Sequence, residues 1–353
     1  MVTFNVNQDD YKIISSLGQS FEGRAAVYLA QHIPSGSMVA IKKFNMDKIG
    51  EDNYLLVELE IKKTKELRHK YVLPYYATFV HGPEVCVVSP LMGYGSCKDL
   101  LNQHFNDGLP EQAIVIILRD LLDALIYIHK KGYIHRAIKA SHILISTTGK
   151  ICVTGFRHTC YMVRRGRWQE KVHFFSASER VNLNWLSPEV LEQNMKGYNS
   201  KADMYSVGML LCELGNGVEP FAGMAPTLML CEKLRGCTPH LLDCTTVSLD
   251  ENGDGSSGDC DINPKLLERR FSGDLHEIVN VCLSHDPQLR PSAEKLMTHR
   301  IFKTIKKSPP LTDLLKPAMP LSDRVAFNLD DIETMDVMNK LSNLDVNSCE
   351  WDF

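Results

Sequence analysis

Several charged residues in the first half of the chain could hold a polyphosphate. Lys42 stands in the β-rich run VAIKKF, and Glu60 follows in the next segment of helical periodicity. A lysine and a glutamate in these settings can form the ion pair that places a lysine on the phosphates of a nucleotide. Lys139 and Arg157 add two cations further along the chain. A simpler interpretation, in which Lys42 and Glu60 only brace a helix against a sheet, stays open.

A glycine-rich turn precedes these residues. In LGQSFEGRAAVYLA, Gly18 and Gly23 are typical of a phosphate-binding turn, but Ser20 takes the place of a middle glycine, and Val27 follows at a longer distance than usual. A side chain at the middle position hinders close approach of the backbone to phosphates, so we expect nucleotide binding that is weaker or differently shaped. The remaining positions of the predicted nucleotide site are Ala40 and Ser89.

The order of motifs over residues 11–302 resembles that of a protein kinase. Each motif alone is a weak signal, but the whole series in this order and at these intervals is typical of no other fold. We therefore expect a bilobal protein-kinase fold. After the glycine-rich turn and VAIKKF the series continues with Glu60, HRAIKASH, GFR at 155–157, SPE at 187–189, DMYSVG at 203–208 and RPS at 290–292.

The resemblance narrows to one family of kinase relatives. The stretches SPLMGYGSCKDL, YIHRAIKASHILIS and NWLSPEV, with a C-terminus ending in EWDF, are similar to the STRAD pseudokinases, which are relatives of the sterile-twenty kinases. This resemblance covers essentially the whole chain and implies a kinase fold without catalytic output. It also implies two protein partners: a tumour-suppressor serine/threonine kinase (liver kinase B), which is activated, and a helical-repeat scaffold called mouse protein twenty-five.

The three positions that carry kinase chemistry hold other residues here. A working kinase uses one Asp as the base, an Asn of the same loop on magnesium, and a second Asp that links magnesium to the phosphates. These positions are Ala137, His142 and Gly155. Alanine accepts no proton, glycine has no side chain, and imidazole is a poor ligand for magnesium, which prefers oxygen donors. Phosphate transfer is therefore not expected, and no metal site is predicted.

Side chains of the protein could take the place of the missing metal ions. Lys139 follows the degenerate catalytic triplet, Arg157 is the third residue of GFR, and His142 replaces the magnesium-holding Asn. We expect all three to point toward the phosphates, so that ATP binds without magnesium and is held rather than hydrolysed. A guanidinium suits this role because it contacts phosphate oxygens in pairs. An Arg157 that turns outward is the open alternative.

Residues that hold an active kinase together are retained. Glu189 of SPE and Arg290 of RPS match the pair that ties the end of the activation segment to the far helices, and Asp203 matches a helix residue that bonds back to the catalytic loop. By this resemblance the three residues are structural. Their retention indicates a fold kept in an active-like shape, as an allosteric partner requires.

Two stretches of the C-terminal half are predicted to bind partners. One is a basic and aromatic cluster in the activation segment, for which a solvated basic loop is the ordinary alternative; Arg and Trp are favoured at interface hot spots. The other is the terminus, which the STRAD resemblance makes the plug for the scaffold, unless the tail folds back on its own lobe. The residues concerned are Arg164, Arg165, Arg167, Trp168, Phe174 and Phe175 in the segment, and Trp351, Asp352 and Phe353 at the terminus.

The elements that must position these residues form two unequal lobes of an α+β fold. Five short β-rich runs, broken once by helical periodicity at 52–67, predict an N-terminal lobe over 11–91 with a five-stranded sheet and one helix. Helical patterns dominate 92–302, led by the apolar stripe of EQAIVIILRDLLDALIYIHKKG, in which Gly132 is a natural stop.

Three segments stand apart from the two lobes. Residues 1–10 are an N-terminal extension. The polar, Gly/Ser/Asp-rich stretch at about 245–264 is expected to be a disordered surface loop within the second lobe. Residues 303–353 form a tail, where apolar spacing predicts one short helix before the partner-binding terminus.

Bulk composition excludes several classes of protein. With 44% apolar and 23% charged residues among 353, the chain is expected to be globular and soluble. A net charge of −4 provides no general attraction for nucleic acid or for anionic membranes. We expect no signal peptide and no membrane span in this sequence. The spacing of its 11 cysteines favours reduced thiols. We expect a cytoplasmic protein and leave shuttling to the nucleus open.

Three functions are compatible with these residues. The first is a pseudokinase that binds a partner kinase and switches it on. The second is a weak, unconventional kinase that uses Lys42, Lys139 and Arg157 without the usual base. The third is a passive adaptor for which nucleotide does not matter. The absence of both base and metal ligands favours the first.

Overall fold

The computed structural model describes residues 3–4, 6–175, 177–193, 195–246 and 268–321. Most of the 245–264 insert lies outside these ranges, and so does the tail beyond residue 321, with its predicted helix and Trp351, Asp352 and Phe353. Within the described ranges the protein-kinase fold predicted from the motif order is confirmed, with an antiparallel sheet in the first lobe and mainly helices in the second. No helix of these ranges is long and apolar enough to cross a membrane.

The N-terminal lobe contains the predicted five-stranded sheet. Its strands are Tyr11–Ser20 (β1), Ala25–His32 (β2), Ser37–Asn45 (β3), Ala77–His81 (β4) and Glu84–Pro90 (β5). All neighbours are antiparallel, in the order β1-β2-β3-β5-β4. Strand β3 is therefore central, and its residue Lys42 lies between Val27 of β2 and Val87 of β5. A central strand has hydrogen-bonded neighbours on both sides and gives this lysine a rigid base.

One long helix accompanies the sheet, at the place where the periodicity predicts it. Helix α2 is Glu51–Glu66, preceded by the short helix α1, Met46–Ile49. On α2 the buried residues Val57, Glu60 and Thr64 are three or four positions apart and share one face. Val57 belongs to the same apolar cluster as Phe44 of β3. The helix is thus packed on the sheet with Glu60 turned inward.

Two details of this lobe differ from the sequence-based expectation. Helix α1 adds a second, four-residue helix, which begins because the Asn45 side chain accepts a hydrogen bond from the Lys48 backbone N–H. The β-rich run YVLPYYATFV becomes a strand only from Ala77. Pro74 has no N–H for a ladder, and the Leu73 N–H instead donates to the Val153 carbonyl in the other lobe.

Helices form the core of the second lobe. They are Cys97–His104 (α3), Glu111–Lys130 (α4), Pro188–Leu191 (α5), Lys201–Asn216 (α6), Pro226–Arg235 (α7), Gly273–Cys282 (α8), Ala293–Met297 (α9) and Leu311–Leu314 (α10). Helix α4 carries the predicted apolar stripe and ends before Gly132, whose φ of 83° suits glycine. Most side chains of α6 are buried on all sides, so α6 is the central helix of this lobe.

Short strands position the loops that would carry chemistry. They are Gly95–Ser96 (β6), Tyr133–Ile134 (β7), Ile143–Ile145 (β8), Ile151–Val153 (β9), Cys160–Tyr161 (β10), Val163–Arg164 (β11) and Arg167–Trp168 (β12). Strand β7 leads into the degenerate catalytic loop, which ends in the 3-10 turn Ala140–His142 and β8. Strand β9 leads into Gly155 and the 3-10 turn Phe156–His158. Pairing of β8 with β9 brings the two degenerate motifs side by side.

Candidate functional site

Helix α2 is held against the degenerate GFR motif by the carboxylate of Glu60. This residue has no exposed surface. One oxygen accepts the Tyr75 hydroxyl at 3.1 Å, and the other accepts the backbone N–H of Arg157 at 2.9 Å. Lys42 on β3 is buried too, with its ammonium 4.7 Å from the centre of the Phe44 ring. Glu60 therefore braces helix α2 against the GFR motif, while its pairing with Lys42 stays a prediction.

The space of the missing metal-binding Asp is occupied by His142. A Cβ atom added to Gly155 would lie 2.6 Å from two ring atoms of His142, a distance at which one of the two groups must move. The imidazole is completely buried and donates from Nδ1 to the Ala137 carbonyl oxygen at 2.5 Å. Gly155 and His142 are therefore complementary: the ring fits because position 155 has no side chain.

Arg157 turns inward, and the alternative of an outward side chain is wrong. Its side chain is only 1% exposed. The Nε–H donates to Nε2 of His158 at 2.9 Å, and the guanidinium carbon lies 4.7 Å from the centre of the Phe21 ring. One terminal nitrogen, Nη2, is 3.7 Å from a carboxylate oxygen of Glu22 in the glycine-rich turn. The guanidinium therefore connects the turn with the degenerate GFR motif.

The tip of the glycine-rich turn folds toward the cleft. Phe21 is 2% exposed and packs edge-on against Phe44, with 5.6 Å between ring centres. Phe21 and Glu22 have φ values of 54° and 57°, in the left-handed region, which costs an L-residue about 1–2 kcal/mol. Gly18 and Gly23 also have positive φ. Burial of the aromatic ring and the Glu22–Arg157 ion pair offset the strain of the two non-glycine residues.

A cavity of about 310 Å³ lies beneath this turn. Its walls carry the predicted cations Lys139 and Arg157, and the ammonium of Lys139 lies 5.5 Å from the ring centre of Trp185. Among the described lining residues the charged groups are four cations and two carboxylates, so these residues carry an excess of positive charge. The other charged lining residues are Lys98, Arg180, Glu22 and Glu219.

The apolar side of the predicted nucleotide site is closed. Val27, Ala40 and Leu144 have no exposed surface and lie in one cluster with Leu17 of β1. Ser89 on β5 faces Ala40 in the register of the sheet and is buried as well. No water-sized gap therefore remains against these three side chains, and a base could enter only if the two lobes or the glycine-rich turn moved apart.

Asp203 binds the backbone of the degenerate catalytic loop. Its carboxylate accepts the backbone N–H groups of His135 and Arg136 and the Nε2–H of His129, each at 2.8 Å. Burial by itself would raise the pKa of Asp203, but the hydrogen bond and charge of His129 hold that pKa below its ordinary value. The carboxylate therefore stays ionised and fixes the loop on α6, whether or not Ala137 does chemistry.

Glu189 and Arg290 form the predicted pair. The guanidinium of Arg290 donates to both carboxylate oxygens of Glu189, at 2.6 and 2.9 Å. The same side chain is 1% exposed and also donates to backbone carbonyl oxygens of Ser284, Lys201 and His285. Its hydrogen-bonding capacity is thus used within the fold, which ties the end of the activation segment to the helices at 273–297.

Arg136 holds the activation segment, a role that no local sequence pattern indicates. Its Nε–H donates to the His158 carbonyl oxygen at 2.7 Å, and Nη1 donates to the Tyr198 hydroxyl at 2.9 Å and to the Phe174 carbonyl oxygen at 3.2 Å. In many kinases a phosphate added to the activation segment supplies such an anchor. Here backbone carbonyl oxygens and a phenol bind the arginine in place of a phosphate.

Two buried charged residues of the second lobe were also missed. Lys233 of α7 donates to the carbonyl oxygens of Leu183, Asn184 and Leu186, although burial lowers its pKa to about 7. Glu213 of α6 accepts from the Ala140 N–H and the Trp185 indole; burial raises its pKa to about 7. Both residues secure the stretch 183–186, and neither has a local sequence signal, because each acts on backbone far along the chain.

The basic and aromatic cluster of the activation segment lies at the surface. Strands β11 and β12 form a hairpin whose turn, Arg165 and Gly166, has positive φ. Arg164, Arg165 and Arg167 are exposed, and Trp168 is 56% exposed. Phe174 is equally exposed, whereas Phe175 is half-buried and packs beside Tyr198. Five of the six predicted residues are therefore available to a partner.

Comparison with known proteins decides the family. The protein kinase domain model matches residues 11–302. STE20-related kinase adapter protein alpha from Gallus gallus is 39% identical over 346 residues, covering 92% of this chain and 88% of the relative. The alpha protein of Homo sapiens is 38% identical, covering 97% of this chain and 84% of the relative, and the human beta protein is 35% identical, covering 90% and 81%.

The chain belongs to the STE20-related kinase adapter proteins. The resemblance to STRAD seen in the sequence is thereby confirmed. Membership of this adapter family, together with the kinase domain, supports an adaptor built on a kinase fold. It agrees with a site in which the positions for base and metal hold Ala137, His142 and Gly155, while the framework residues keep their contacts.

Proposed function

We propose that this STE20-related kinase adapter protein is a pseudokinase that binds a serine/threonine kinase of the liver kinase B type and switches it on without transferring phosphate itself. The observation that carries the proposal is the fit of the His142 ring into the space that an Asp at position 155 would need. An active site filled in this way has no place for the metal clamp. The framework around it is intact, and the relatives are named adapter proteins.

The chemistry expected of the site supports this proposal. Loss of a general base costs ~10²- to 10⁴-fold in rate, and Ala137 provides no base. His142 has no oxygen atom to offer magnesium, which prefers oxygen ligands. Its ring is also buried among protein atoms and donates the Nδ1 proton to a backbone carbonyl. Binding of a partner needs neither group. It needs an ordered surface, which Arg136, Lys233 and the Glu189–Arg290 pair maintain.

The partner surface proposed for the kinase is the activation-segment cluster around the hairpin of β11 and β12. For a helical-repeat scaffold of the mouse protein twenty-five type we propose the terminus with Trp351, Asp352 and Phe353. In an extended tail, side chains two residues apart project to the same side, so that the two aromatic rings could enter one groove. A cytoplasmic location is part of this proposal and can be tested with a fluorescent fusion.

We also propose that the cleft binds ATP without magnesium. The phosphates would meet Arg157 and Lys139 in the positively charged cavity, with Lys42 behind them, and the base would enter between Val27, Ala40, Leu144 and the β5 end near Ser89. The guanidinium of Arg157 would supply the charge that a metal ion supplies elsewhere. Nucleotide would then stabilise the shape that the partner recognises.

A nucleotide-independent adaptor is the second candidate, and one observation favours it. The apolar side of the slot is closed, since Val27, Ala40 and Leu144 have no exposed surface. Thermal unfolding separates the two candidates. Because a ligand of the native state stabilises it by mass action, millimolar ATP with EDTA should raise the melting temperature of the wild type but not that of Arg157→Ala. An unchanged melting temperature with ATP, both in EDTA and with magnesium, would favour the second candidate.

The experiment for the adaptor function combines purified chain, partner kinase and scaffold. We expect phosphate transfer by the partner kinase to a peptide to increase with added chain, while the chain alone phosphorylates neither itself nor the peptide. Lys42→Ala provides the control for residual catalysis. Transfer by the wild type that Lys42→Ala abolishes would instead establish the weak, unconventional kinase.

The scaffold contact has its own test. Isothermal titration compares a peptide of residues 342–353 with the same peptide carrying Trp351→Ala and Phe353→Ala. Truncation of an aromatic hot spot costs about 2–4 kcal/mol, or roughly 30- to 900-fold in affinity. Equal affinities of the two peptides would remove the terminus from the proposal and leave the kinase contact in place.

A further inference from the structure

We propose that Glu22 is an internal competitor of nucleotide: its carboxylate holds the place of a phosphate on Arg157, and ATP binds by displacing it. This inference rests on the proposed binding of ATP without magnesium. It assigns a role in ligand binding to Glu22 of the glycine-rich turn, which is not among the residues of the predicted nucleotide site. Ser20, two residues earlier, is assigned as a donor to the incoming phosphates.

The geometry of the Glu22–Arg157 ion pair fits a carboxylate that takes the place of a phosphate. The Arg157 side chain is almost completely buried, whereas the Glu22 side chain is 39% exposed and reaches Nη2 of Arg157 from the solvent side, at 3.7 Å. Glu22 also lies 3.6 Å from the exposed Arg24, so its carboxylate has a second cation to which it can turn. Glu22 is therefore a partner of Arg157 that an anion entering the cleft from solvent can displace.

The glycine-rich turn is held in a conformation that its own residues disfavour. Phe21 and Glu22 both have positive φ, and neither is glycine. What holds them is tertiary contact: the Phe21 ring against Phe44 and against the guanidinium of Arg157, and the Glu22 carboxylate on the same guanidinium. When an anion takes over Arg157, the turn loses one of these contacts and can relax outward.

Closure of the turn and closure of the base slot belong together. Strands β1 and β2, which the turn connects, contribute Leu17 and Val27 to the apolar cluster that also contains Leu144 of the second lobe. Val27 and Leu144 have no exposed surface. A nucleotide must therefore lift this hairpin to insert its base, and lifting it draws Glu22 away from Arg157.

Ser20 is placed to bind what replaces Glu22. It lines the cavity, is 1% exposed, and its hydroxyl oxygen makes no hydrogen bond within the part of the chain that the structure describes. A buried hydroxyl without a partner is costly, and a phosphate oxygen is a strong acceptor. The described lining of the cavity, with four cations against two carboxylates, favours the same class of ligand. The chemistry thus indicates the polyphosphate of a nucleotide rather than a neutral or cationic group.

The test compares ATP affinity in EDTA for the wild type, Glu22→Gln and Ser20→Ala. Because a partly exposed ion pair contributes modestly, we expect Glu22→Gln to bind ATP about two- to fivefold more tightly. Ser20→Ala should bind it more weakly. Glu84→Gln is the matched control, because Glu84 is also a partly exposed carboxylate in an ion pair, with Lys43 at 2.9 Å, and is not among the residues that line the cavity. It should leave ATP affinity unchanged.

Inorganic tripolyphosphate, which has no base to insert, and backbone hydrogen exchange complete the test. Competition for Arg157 predicts that Glu22→Gln gains affinity for tripolyphosphate as well as for ATP, and that backbone amides of residues 20–24 exchange faster in Glu22→Gln than in the wild type. Equal ATP affinity of wild type and Glu22→Gln, or an unchanged affinity for tripolyphosphate, would overturn the competitor role while ATP binding stands. Failure of both proteins to bind ATP would overturn the nucleotide proposal itself.

Discussion

The framework of this fold keeps the contacts of a working kinase, whereas the reacting centre does not keep its residues. In the framework, Asp203 still binds the backbone of the catalytic loop, and Arg290 still grips both oxygens of Glu189. In the reacting centre, a side chain of the protein fills the space of a lost group, as His142 does beside Gly155. The space beside position 155 is thus packed with a side chain of the protein rather than left empty.

This difference has a consequence for how function could be lost or regained. One substitution can break a framework contact, because removing either partner leaves the other without its ion pair. The centre resists single reversions, because the replaced residues fit one another. A carboxylate at position 155 needs the space that the imidazole of His142 now occupies.

The largest effect is expected from breaking the framework at Arg290. Arg290→Ala leaves Glu189 without its partner in a largely buried site, which typically costs 3–5 kcal/mol. Urea unfolding should show this loss as a lower midpoint. Arg300→Ala is the control, because Arg300 is 66% exposed in its ion pair with Asp274 and such pairs contribute about 0–1 kcal/mol. A loss below 1 kcal/mol for Arg290→Ala would contradict a structural role.

The next largest effect is expected in the degenerate catalytic loop, which joins the framework to the reacting centre, and it is a dependence of stability on pH. Burial lowers the pKa of His135 to about 4, against an ordinary 6.5. The folded state thus prefers the neutral ring, whose Nε2–H donates to the Thr154 carbonyl oxygen at 2.8 Å. Stability from this group is present above pH 6.5 and is lost as the pH falls toward 4, by about 3 kcal/mol.

The measurement is the free energy of unfolding from pH 7 to pH 4 for wild type and His135→Gln. Glutamine keeps a donor for Thr154 but does not titrate. The wild type should therefore lose about 3 kcal/mol more than the variant across this range. Parallel curves would show that His135 does not stay neutral in the folded protein, and the loop would then be less rigid than its contacts with Asp203 indicate.

The centre is tested by restoring its acid. Gly155→Asp should destabilise the fold by about 1–3 kcal/mol, since its Cβ meets the His142 ring at 2.6 Å and the φ of 83° at this position strains any residue with a side chain. Adding His142→Asn removes the ring, so the double variant should recover part of that loss. It also regains two oxygen ligands of the kind that magnesium prefers. Magnesium should then increase the stabilisation by ATP in the double variant alone.

Gly155→Ala separates packing from charge in this cycle, because it adds only the Cβ atom. We expect it to be destabilised to a similar degree as Gly155→Asp and to be rescued in the same way by His142→Asn. Strictly additive effects of the two changes would mean that His142 and Gly155 do not share one space, and the comparison between a rebuilt centre and a kept framework would lose its main support.

Much of the fold could be predicted because its signals are local or ordered along the chain. The periodicity of helix α4 and the alternation of β1 to β3 are written in neighbouring residues, and the motif order places the lobes. The strand expected from residue 71 was wrong where Pro74 interrupts the ladder. The residues of the framework could be named because each stands in a motif of known order.

The centre was predicted less completely, because its contacts join distant residues. The sequence shows that Gly155 lacks a carboxylate but not that His142 occupies its space. Neither the pairing of Glu22 with Arg157 nor the anchoring of Arg136 by Tyr198 has a local pattern. Such contacts depend on side-chain rotamers and loop conformations that only the assembled lobes determine.

The smallest effect on folding is expected at the partner surface, which belongs to neither region. Arg167 is exposed on β12, and the structure shows no ion pair or side-chain hydrogen bond for it among the described residues. Arg167→Ala should therefore change the free energy of unfolding by no more than about 0.5 kcal/mol. If the hairpin contacts the partner kinase, the same change should weaken complex formation by roughly 30-fold, as for an arginine hot spot.

A matched arginine elsewhere makes this last comparison decisive. Arg235 of α7 has a side chain that is 71% exposed and pairs only with Glu232 of its own helix in the described structure. Arg235→Ala removes the same charge from another face, so it should match Arg167→Ala in stability and differ from it in partner binding. Because both variants change the net charge equally, nonspecific electrostatic attraction would weaken binding in both. A loss confined to Arg167→Ala would place the kinase on the hairpin, and equal losses would remove it from there.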